Sequence, residues 1–166
     1  MLFFSQSIAG DNSIEYKIKA GYIYNFTKFI IWPKNELETF NICILGEDPF
    51  GSILNPIEKR SVKNKPIQLI RIKTANEAEH CHIVFMAGRV TKPLQIPGIL
   101  TISSIPPKLT VGDSNSFTYQ GGMIVFFQRE GKVKLRIHLK MLRQSGLDIS
   151  AKLLEVAEVY EDESND

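Results

Sequence analysis

The fold of this chain follows from one stretch of its sequence, residues 121–139, Gly-Gly-Met-Ile-Val-Phe-Phe-Gln-Arg-Glu-Gly-Lys-Val-Lys-Leu-Arg-Ile-His-Leu. Two runs rich in β-branched and aromatic residues flank Glu130 and Gly131. A glycine in the loop supplies the positive φ that a tight hairpin turn requires. The pattern therefore predicts a β-hairpin with a two-residue loop.

A loop of that length also predicts the register, with Lys132 opposite Arg129 and Leu135 opposite Phe126. The residues expected on the core face are Ile124, Phe126, Val133, Leu135 and Ile137. The other face sets Lys134, Arg136 and His138 opposite Phe127, Val125 and Met123. In one interpretation a helix covers the apolar half of this second face, and the aliphatic parts of the Lys and Arg side chains extend beside that helix to solvent. In the other, Lys134, Arg136 and His138 form a candidate ligand or partner face.

Length and composition are those of a single soluble globular domain. The chain has 166 residues, of which 43% are hydrophobic and 23% charged, so it can bury a sizeable core. The net charge is +2, but the last twelve residues hold six acids and no Lys or Arg, which leaves +8 on residues 1–154. The basic residues are scattered rather than clustered with aromatics, which argues against nucleic-acid binding.

The two ends of the chain differ from the middle. Residues 1–12 begin with an apolar run followed by Ser7 and Ala9 at the spacing of a signal-peptide cleavage site, and we interpret them as a signal remnant or a disordered end. We expect an exported protein with a truncated signal peptide, one domain over residues 13–160, and an acidic disordered tail over residues 161–166. No segment has the uncharged length of a membrane span.

Residues 13–33 predict a helix that Ser13 caps, with Glu15 in its first turn, and that ends at Pro33. Its apolar residues cover more than half of its circumference, because Tyr22, Phe26 and Phe29 form a second stripe beside the first. We interpret these three aromatic residues as a candidate dimer or partner surface, and expect a homodimer.

The remaining segments predict an α/β fold with a central, mostly parallel sheet, flanking helices and a C-terminal antiparallel β-hairpin. The expected strands are residues 40–46, 66–72, 81–86 and 98–103, and the expected helices are residues 50–60 and 74–79. Residues 111–120 are rich in Gly, Asp, Ser and Asn and predict an exposed loop. After the hairpin we expect a helix over residues 140–145 and a last helix, capped by Ser150, with Leu153, Leu154, Ala157 and Tyr160 at helical spacing.

No motif for catalysis, metal or a cofactor is present. The Gly46–Gly51 turn lacks the Lys-Ser/Thr of a phosphate loop, and no nucleophile elbow or zinc-protease motif occurs. In a strand, His80 and His82 point away from Cys81, so the three cannot converge on a metal. Cys43 and Cys81 lie on successive apolar strands, which leaves both buried thiols and a disulfide open.

Taken together, five blocks of sequence resemble the YfiR family. They are residues 19–33 (KAGYIYNFTKFIIWP), 42–51 (ICILGEDPFG), 81–85 (CHIVF), 121–124 (GGMI) and 150–154 (SAKLL). They occur in the family's order and cover nearly the whole chain. The resemblance implies a small α/β protein of the bacterial periplasm in which Cys43 and Cys81 match a paired cysteine. A second cysteine pair of the family is missing here, so redox control through it is not implied.

The resemblance also implies a function, repression of the YfiN diguanylate cyclase by binding its periplasmic domain, which lowers cyclic di-GMP and biofilm formation. We therefore expect a non-enzymatic regulator that acts by occupying the extracytoplasmic domain of a membrane sensor, and no cofactor. The alternative is a small-ligand-binding module that feeds a sensor histidine kinase or another membrane receptor.

Overall fold

A computed structural model describes residues 7–87, 106–114, 117 and 121–160, with side chains from residue 13 onward. The helices are α1 (Ser7–Phe29), α2 (Leu139–Gln144) and α3 (Ala151–Leu154), with 3₁₀ helices at Gly51–Lys59 and Ala75–Ala78. The strands are β1 (Ile30–Ile31), β2 (Phe40–Leu45), β3 (Ser61–Val62), β4 (Lys65–Ile72), β5 (Ile83–Met86), β6 (Leu109–Gly112), β7 (Ile124–Arg129), β8 (Lys132–His138), β9 (Asp148–Ile149) and β10 (Ala157–Tyr160).

Eight of these strands form one sheet in the order β10-β8-β7-β6-β5-β2-β4-β3. Five neighbouring pairs are parallel, and only β7–β8 and β3–β4 are antiparallel. The short strands β1 and β9 pair separately. The single α/β domain with a mostly parallel sheet and flanking helices is confirmed.

The hairpin has the predicted register. Lys132 pairs with Arg129, Leu135 with Phe126 and Ile137 with Ile124. Glu130 and Gly131 both have positive φ, 53° and 74°, as a two-residue primed turn requires. The alternation of side chains thus buries Ile124, Phe126, Leu135 and Ile137 on one face of the sheet.

The main core lies on that face, beneath α1 and the Gly51–Lys59 3₁₀ helix. Phe26 of α1 stacks on Phe126, and Phe50 meets Phe85 edge to face. The fully buried aliphatic residues of this core include Ile23, Ile42, Ile44, Ile83, Leu109 and Val111. Removing this apolar surface from water is the main stabilising contribution of the fold.

A second, smaller core lies on the opposite face of the sheet. It contains Cys43, Cys81, Val84 and Phe117, together with Val125 from the hairpin. Phe117 is fully buried, although residues 111–120 were predicted to be an exposed loop. That prediction is wrong at Phe117, and also at residues 111–112, which form the end of β6, because this strand pairs with β5 on one side and β7 on the other. Pairing on both sides outweighs a loop-like composition.

The first helix begins earlier than predicted. Ser7 already has helical backbone, so Ser13 lies inside α1 and is not its N-cap. Extending an existing helix by a turn costs little, since nucleation is the expensive step, and no proline interrupts residues 7–13. At its other end α1 stops at Phe29, because Ile30 pairs with Ile149 of β9 before Pro33 is reached.

The prediction for residues 150–160 is correct at the cap and wrong at the end. Ser150 caps α3 as predicted, accepting a hydrogen bond from the Lys152 amide at 3.3 Å, but this helix ends at Leu154. Ala157–Tyr160 then form β10, parallel to β8, rather than a continued helix. The open edge of β8 offers backbone partners that helical spacing does not reveal. The predicted strand at 98–103 lies outside the described residues, as do residues 1–6 and 161–166.

Candidate functional site

In the ligand or partner face predicted on β8, Arg136 and His138 contact residues of β10, whereas Lys134 stays exposed. Arg136 donates to Glu158 Oε2 at 3.3 Å, and its guanidinium lies 4.5 Å from the centre of the Phe127 ring. Arg129 bonds the other oxygen of Glu158 and lies over the same ring. The hydrogen bond from Arg129 lowers the pKa of Glu158, so this acid stays ionised and offsets part of the positive charge of the two guanidinium groups.

His138, the last residue of the row, is only 5% exposed. Its Nδ1 accepts a hydrogen bond from the Met141 amide at 3.2 Å, which caps α2, and its ring lies 5.0 Å from that of Tyr160. These contacts give His138 a structural role at the start of α2. Within the predicted row, Lys134 is the residue whose side chain is exposed.

The three aromatic residues predicted as the partner surface of α1 differ in how far they are buried. Phe26 is fully buried and stacks on Phe126 of the same chain, with ring centres 6.1 Å apart. Tyr22 packs on Phe126 at 5.9 Å but is half-buried, as is Phe29. The exposed area available to a partner from this set is therefore that of Tyr22 and Phe29.

A different face of α1 carries exposed apolar surface. Ile14 is 59% exposed and Ile18 43%, and Gly21 follows at helical spacing. A Cβ built on Gly21 has no atom within 4 Å, so the backbone there is open to close approach. A depression of about 180 Å³ lies beside it, with Tyr24 on one wall and Ile53 and Pro56 of the 3₁₀ helix on the other. We call Ile14, Ile18 and Gly21 the α1 stripe.

A buried charge cluster holds α1 on the sheet and so orients this stripe outward. Lys19 is 4% exposed and lies 2.6 Å from Glu15 and 3.5 Å from Asp113, which directly follows β6. The Tyr16 hydroxyl donates to Asp113 at 3.2 Å. Burial, together with the charge on Asp113, raises the pKa of Tyr16. Asp113, predicted to be a turn residue, is thus the anchor of the helix.

An open groove of about 450 Å³ brings two of the predicted site residues together. Tyr22 of α1 and Lys134 of β8 both line it, with Arg129, Glu155 and Val156. Val156 is 57% exposed. The groove passes along the edge of the sheet where β10 joins, which is why sequence spacing could not indicate it.

Cys43 and Cys81 form a disulfide that joins β2 to the segment before β5, with Cα atoms 6.0 Å apart and both residues buried. The Lys108 ammonium lies beside it and donates to the carbonyl oxygens of Glu79 at 2.7 Å and Cys81 at 3.4 Å. Burial lowers the pKa of Lys108 to about 8. The paired cysteines implied by the sequence resemblance are present as a bond.

Two kinds of site are missing from the part of the chain that the structure describes. It contains no group of three or more His, Cys, Asp or Glu side chains placed to hold a metal ion. Among its helices, none combines the length and the apolar character that a membrane crossing requires.

Comparisons with known proteins identify a family and a fold. The model of a family of unknown function described as YfiR/HmsC-like matches residues 16–158. No curated protein sequence matches the chain. A conserved domain protein from Vibrio cholerae has a similar structure, with a TM-score of 0.56 and 12% identity over 88% of this chain and 60% of that one.

A second similar structure is the ABC domain from Streptococcus pneumoniae in complex with L-Trp, with a TM-score of 0.53 and 10% identity. The match covers 85% of this chain and 60% of that one. The chain thus corresponds to 60% of the length of both solved proteins. At such low identities these similarities describe the fold alone.

Proposed function

Because the chain belongs to the YfiR/HmsC-like family, we propose that it is a periplasmic regulator that binds and represses the extracytoplasmic sensor domain of a membrane-bound diguanylate cyclase. Repression would lower cyclic di-GMP and biofilm formation. The observation that carries this proposal is the family match over residues 16–158. It is a regulatory function exerted by binding, without catalysis by this chain.

The α1 stripe is the surface that we assign to the sensor. Ile14 and Ile18 expose apolar side chains in succession on one helix face, and Gly21 leaves room for a partner backbone. Apolar residues that are exposed together on a rigid helix are typical of protein-binding surfaces. The Lys19–Asp113 contact keeps the helix rigid, so that little conformational entropy is lost on binding.

Deleting the gene and measuring cyclic di-GMP tests this function in the cell. We expect the nucleotide level to rise, and to return when the wild-type gene is restored. The Ile14→Glu/Ile18→Glu variant should not restore repression, whereas Ile31→Glu should, because Ile31 is 55% exposed but lies off this face. A nucleotide level that is unchanged under every growth condition contradicts the cyclase proposal.

We also propose a homodimer formed through α1. Tyr22 and Phe29, which are only half-buried within one chain, supply its apolar surface, and a two-fold axis would place the two helices against each other. Light scattering at micromolar concentration should give twice the chain mass of 18.8 kDa. The Phe29→Glu variant should be monomeric, whereas Ile14→Glu/Ile18→Glu should remain a dimer, and a monomeric wild-type protein contradicts this assignment.

The second candidate function is a ligand-binding module that feeds a sensor histidine kinase or another membrane receptor. The groove between Tyr22 and Lys134 favours it, because it is open, is lined by charged groups of both signs, and is large enough for a small metabolite. Equilibrium dialysis against nucleotides and amino acids tests this function. Retention that is lost in Lys134→Ala, and kept in Lys132→Ala at the exposed hairpin turn, supports it.

A further inference from the structure

A separate pocket of about 280 Å³ opens at the amino-terminal ends of β2, β4 and β5. It lies on the sheet edge where Phe40 begins β2, Lys65 begins β4 and His82 precedes β5. None of the residues assigned above to the partner surface or the groove lines it. A ligand in this pocket would therefore touch none of the residues of the proposed regulatory contact.

One wall of the pocket is aromatic. The Phe40 ring stacks on the His82 ring with centres 4.3 Å apart and planes at 19°. Trp32 meets Phe40 edge to face at 5.1 Å. All three side chains are almost completely buried, which makes the wall rigid. A flat, rigid aromatic surface is complementary to a planar ring.

The mouth of the pocket is cationic. Lys34, Lys63 and Lys65 line it, and among the described residues none of the three forms an ion pair. Lys65 donates only to Asn35, reaching its carbonyl oxygen at 3.0 Å. Among the described residues that line the pocket there is no Asp or Glu. Three ammonium groups around one opening without a carboxylate favour an anionic ligand.

The floor of the pocket holds more hydrogen-bond donors than the described residues around it have acceptors for. His82 is 1% exposed, and its Nδ1 accepts from the Asn41 amide at 3.0 Å, so the neutral ring carries its proton on Nε2. That atom lies 3.2 Å from the Asn35 Nδ2 amide, which is also a donor. If the Asn35 side-chain amide is turned over, its oxygen can accept from His82. Its NH₂ group then faces the Leu37 amide, which in the present orientation donates to Asn35 Oδ1 at 2.9 Å.

In each arrangement of these groups one donor therefore lacks an acceptor among them, and in the present orientation of Asn35 the buried His82 Nε2–H faces another donor. A buried donor without an acceptor costs free energy, and an oxygen atom supplied from the pocket would remove that cost. A carboxylate has two such oxygens and can accept from Asn35, His82 and a lysine at once. The donor arrangement and the lysines are independent observations that lead to the same ligand chemistry.

We propose that this pocket binds a planar aromatic monocarboxylate, with its ring against Trp32 and Phe40 and its carboxylate directed to Asn35, His82 and the lysine mouth. The volume is just below the range of ordinary ligand pockets, about 300–1,000 Å³, which limits the ligand to one or two rings. An amino acid is disfavoured, because its ammonium group would find cations and no carboxylate partner.

Binding of 2-naphthoate to the purified chain tests this proposal by calorimetry and by ¹H–¹⁵N NMR. Trp32 is the only tryptophan, so its indole N–H signal reports directly on the pocket. We expect saturable binding that shifts this signal. The neutral 2-naphthalenemethanol should bind about tenfold more weakly or worse, because it cannot form charge-assisted hydrogen bonds.

Two matched variants locate the site. Lys34→Gln/Lys63→Gln removes two exposed lysines of the mouth and should raise the Kd for 2-naphthoate about tenfold, whereas Lys17→Gln/Lys73→Gln removes two exposed lysines elsewhere and should leave it unchanged. Absence of binding at millimolar 2-naphthoate overturns the proposal. So does binding that leaves the indole signal in place, or equal affinity for the alcohol.

Discussion

The Nδ1 atom of His82 accepts a hydrogen bond from the backbone amide of Asn41 at 3.0 Å, in a site where the ring is 1% exposed. Protonation of that nitrogen would break the bond and place a buried charge near Lys65 and Lys108. Burial is the larger cause and the two lysines the smaller, and together they lower the pKa of His82 to about 4.

The first prediction is a loss of stability in mild acid. The unfolded chain binds a proton at His82 near pH 6.5 and the folded chain only near pH 4, so the free energy of unfolding falls between these pH values and is independent of His82 above them. Its contribution should be about 2–3 kcal/mol lower at pH 4.5 than at pH 7. Urea unfolding at both pH values measures it.

The control for this prediction is a neighbouring histidine. His82→Asn keeps an acceptor for the Asn41 amide but cannot titrate, so the pH-dependent difference should shrink by the stated amount. His80→Asn, at an exposed position, should retain the wild-type difference. If both variants show the same pH dependence as wild type, His82 is not the responsible group.

The second prediction concerns the Cys43–Cys81 bond, which closes a sequence separation of 38 residues. Loss of this crosslink enlarges the unfolded ensemble, and should lower the free energy of unfolding by about 3–4 kcal/mol. Reduction of the wild type and the Cys43→Ala/Cys81→Ala variant should both show the loss in urea unfolding. The alanine variant should not respond to reductant, and a wild-type midpoint that reductant leaves in place would contradict the prediction.

The third prediction rests on Phe117, which lies between two glycines. A Cβ on Gly122 would lie 2.1 Å from this ring, and one on Gly112 would lie 2.5 Å from it. Gly122→Ala should therefore lower the free energy of unfolding by about 1–3 kcal/mol through overpacking. Gly21→Ala, where the helix leaves open space, should raise it by about 0.5–1 kcal/mol. Thermal unfolding compares the two, and equal effects would mean that the ring has room to move.

The fourth prediction is that α1 is held by a buried charge. Lys19→Met leaves the Asp113 carboxylate, 8% exposed, without its ammonium neighbour and should cost about 3 kcal/mol of unfolding free energy. Lys17 lies on the exposed side of the same helix, so Lys17→Met should lower the free energy of unfolding only slightly. Chemical unfolding at neutral pH measures both. Equal stability of the two variants would show that Lys19 does not hold the helix.

Local signals in the sequence are sufficient for the hairpin, for strands β2, β4 and β5, and for the helix cap at Ser150. The hairpin register from Ile124 to Ile137 follows from side-chain alternation and one turn, both of which act over a few residues. The Thr74–Glu77 capping box likewise lies within four residues. The paired cysteines were indicated by family resemblance rather than by spacing.

Other features depend on what the rest of the chain offers as partners. Leu109–Gly112 became a strand because it pairs with β5 on one side and β7 on the other, although residues 111–112 have a loop-like composition. Ala157–Tyr160 became a strand, despite its helical spacing, because the outer edge of β8 was open to it. Arg136 forms a hydrogen bond with Glu158 of β10, a segment that was predicted to be helical.

The sequence by itself therefore determined the order of the main elements, the hairpin register and the family, since these depend on short-range periodicity and on motif order. Only the tertiary structure decided which side chains share a surface. Ile14 and Ile18 became the exposed stripe because Phe26 was drawn into the core. The pocket of Trp32, Phe40 and His82 exists only because three strands begin at one edge of the sheet, which burial and pairing over the whole chain bring about.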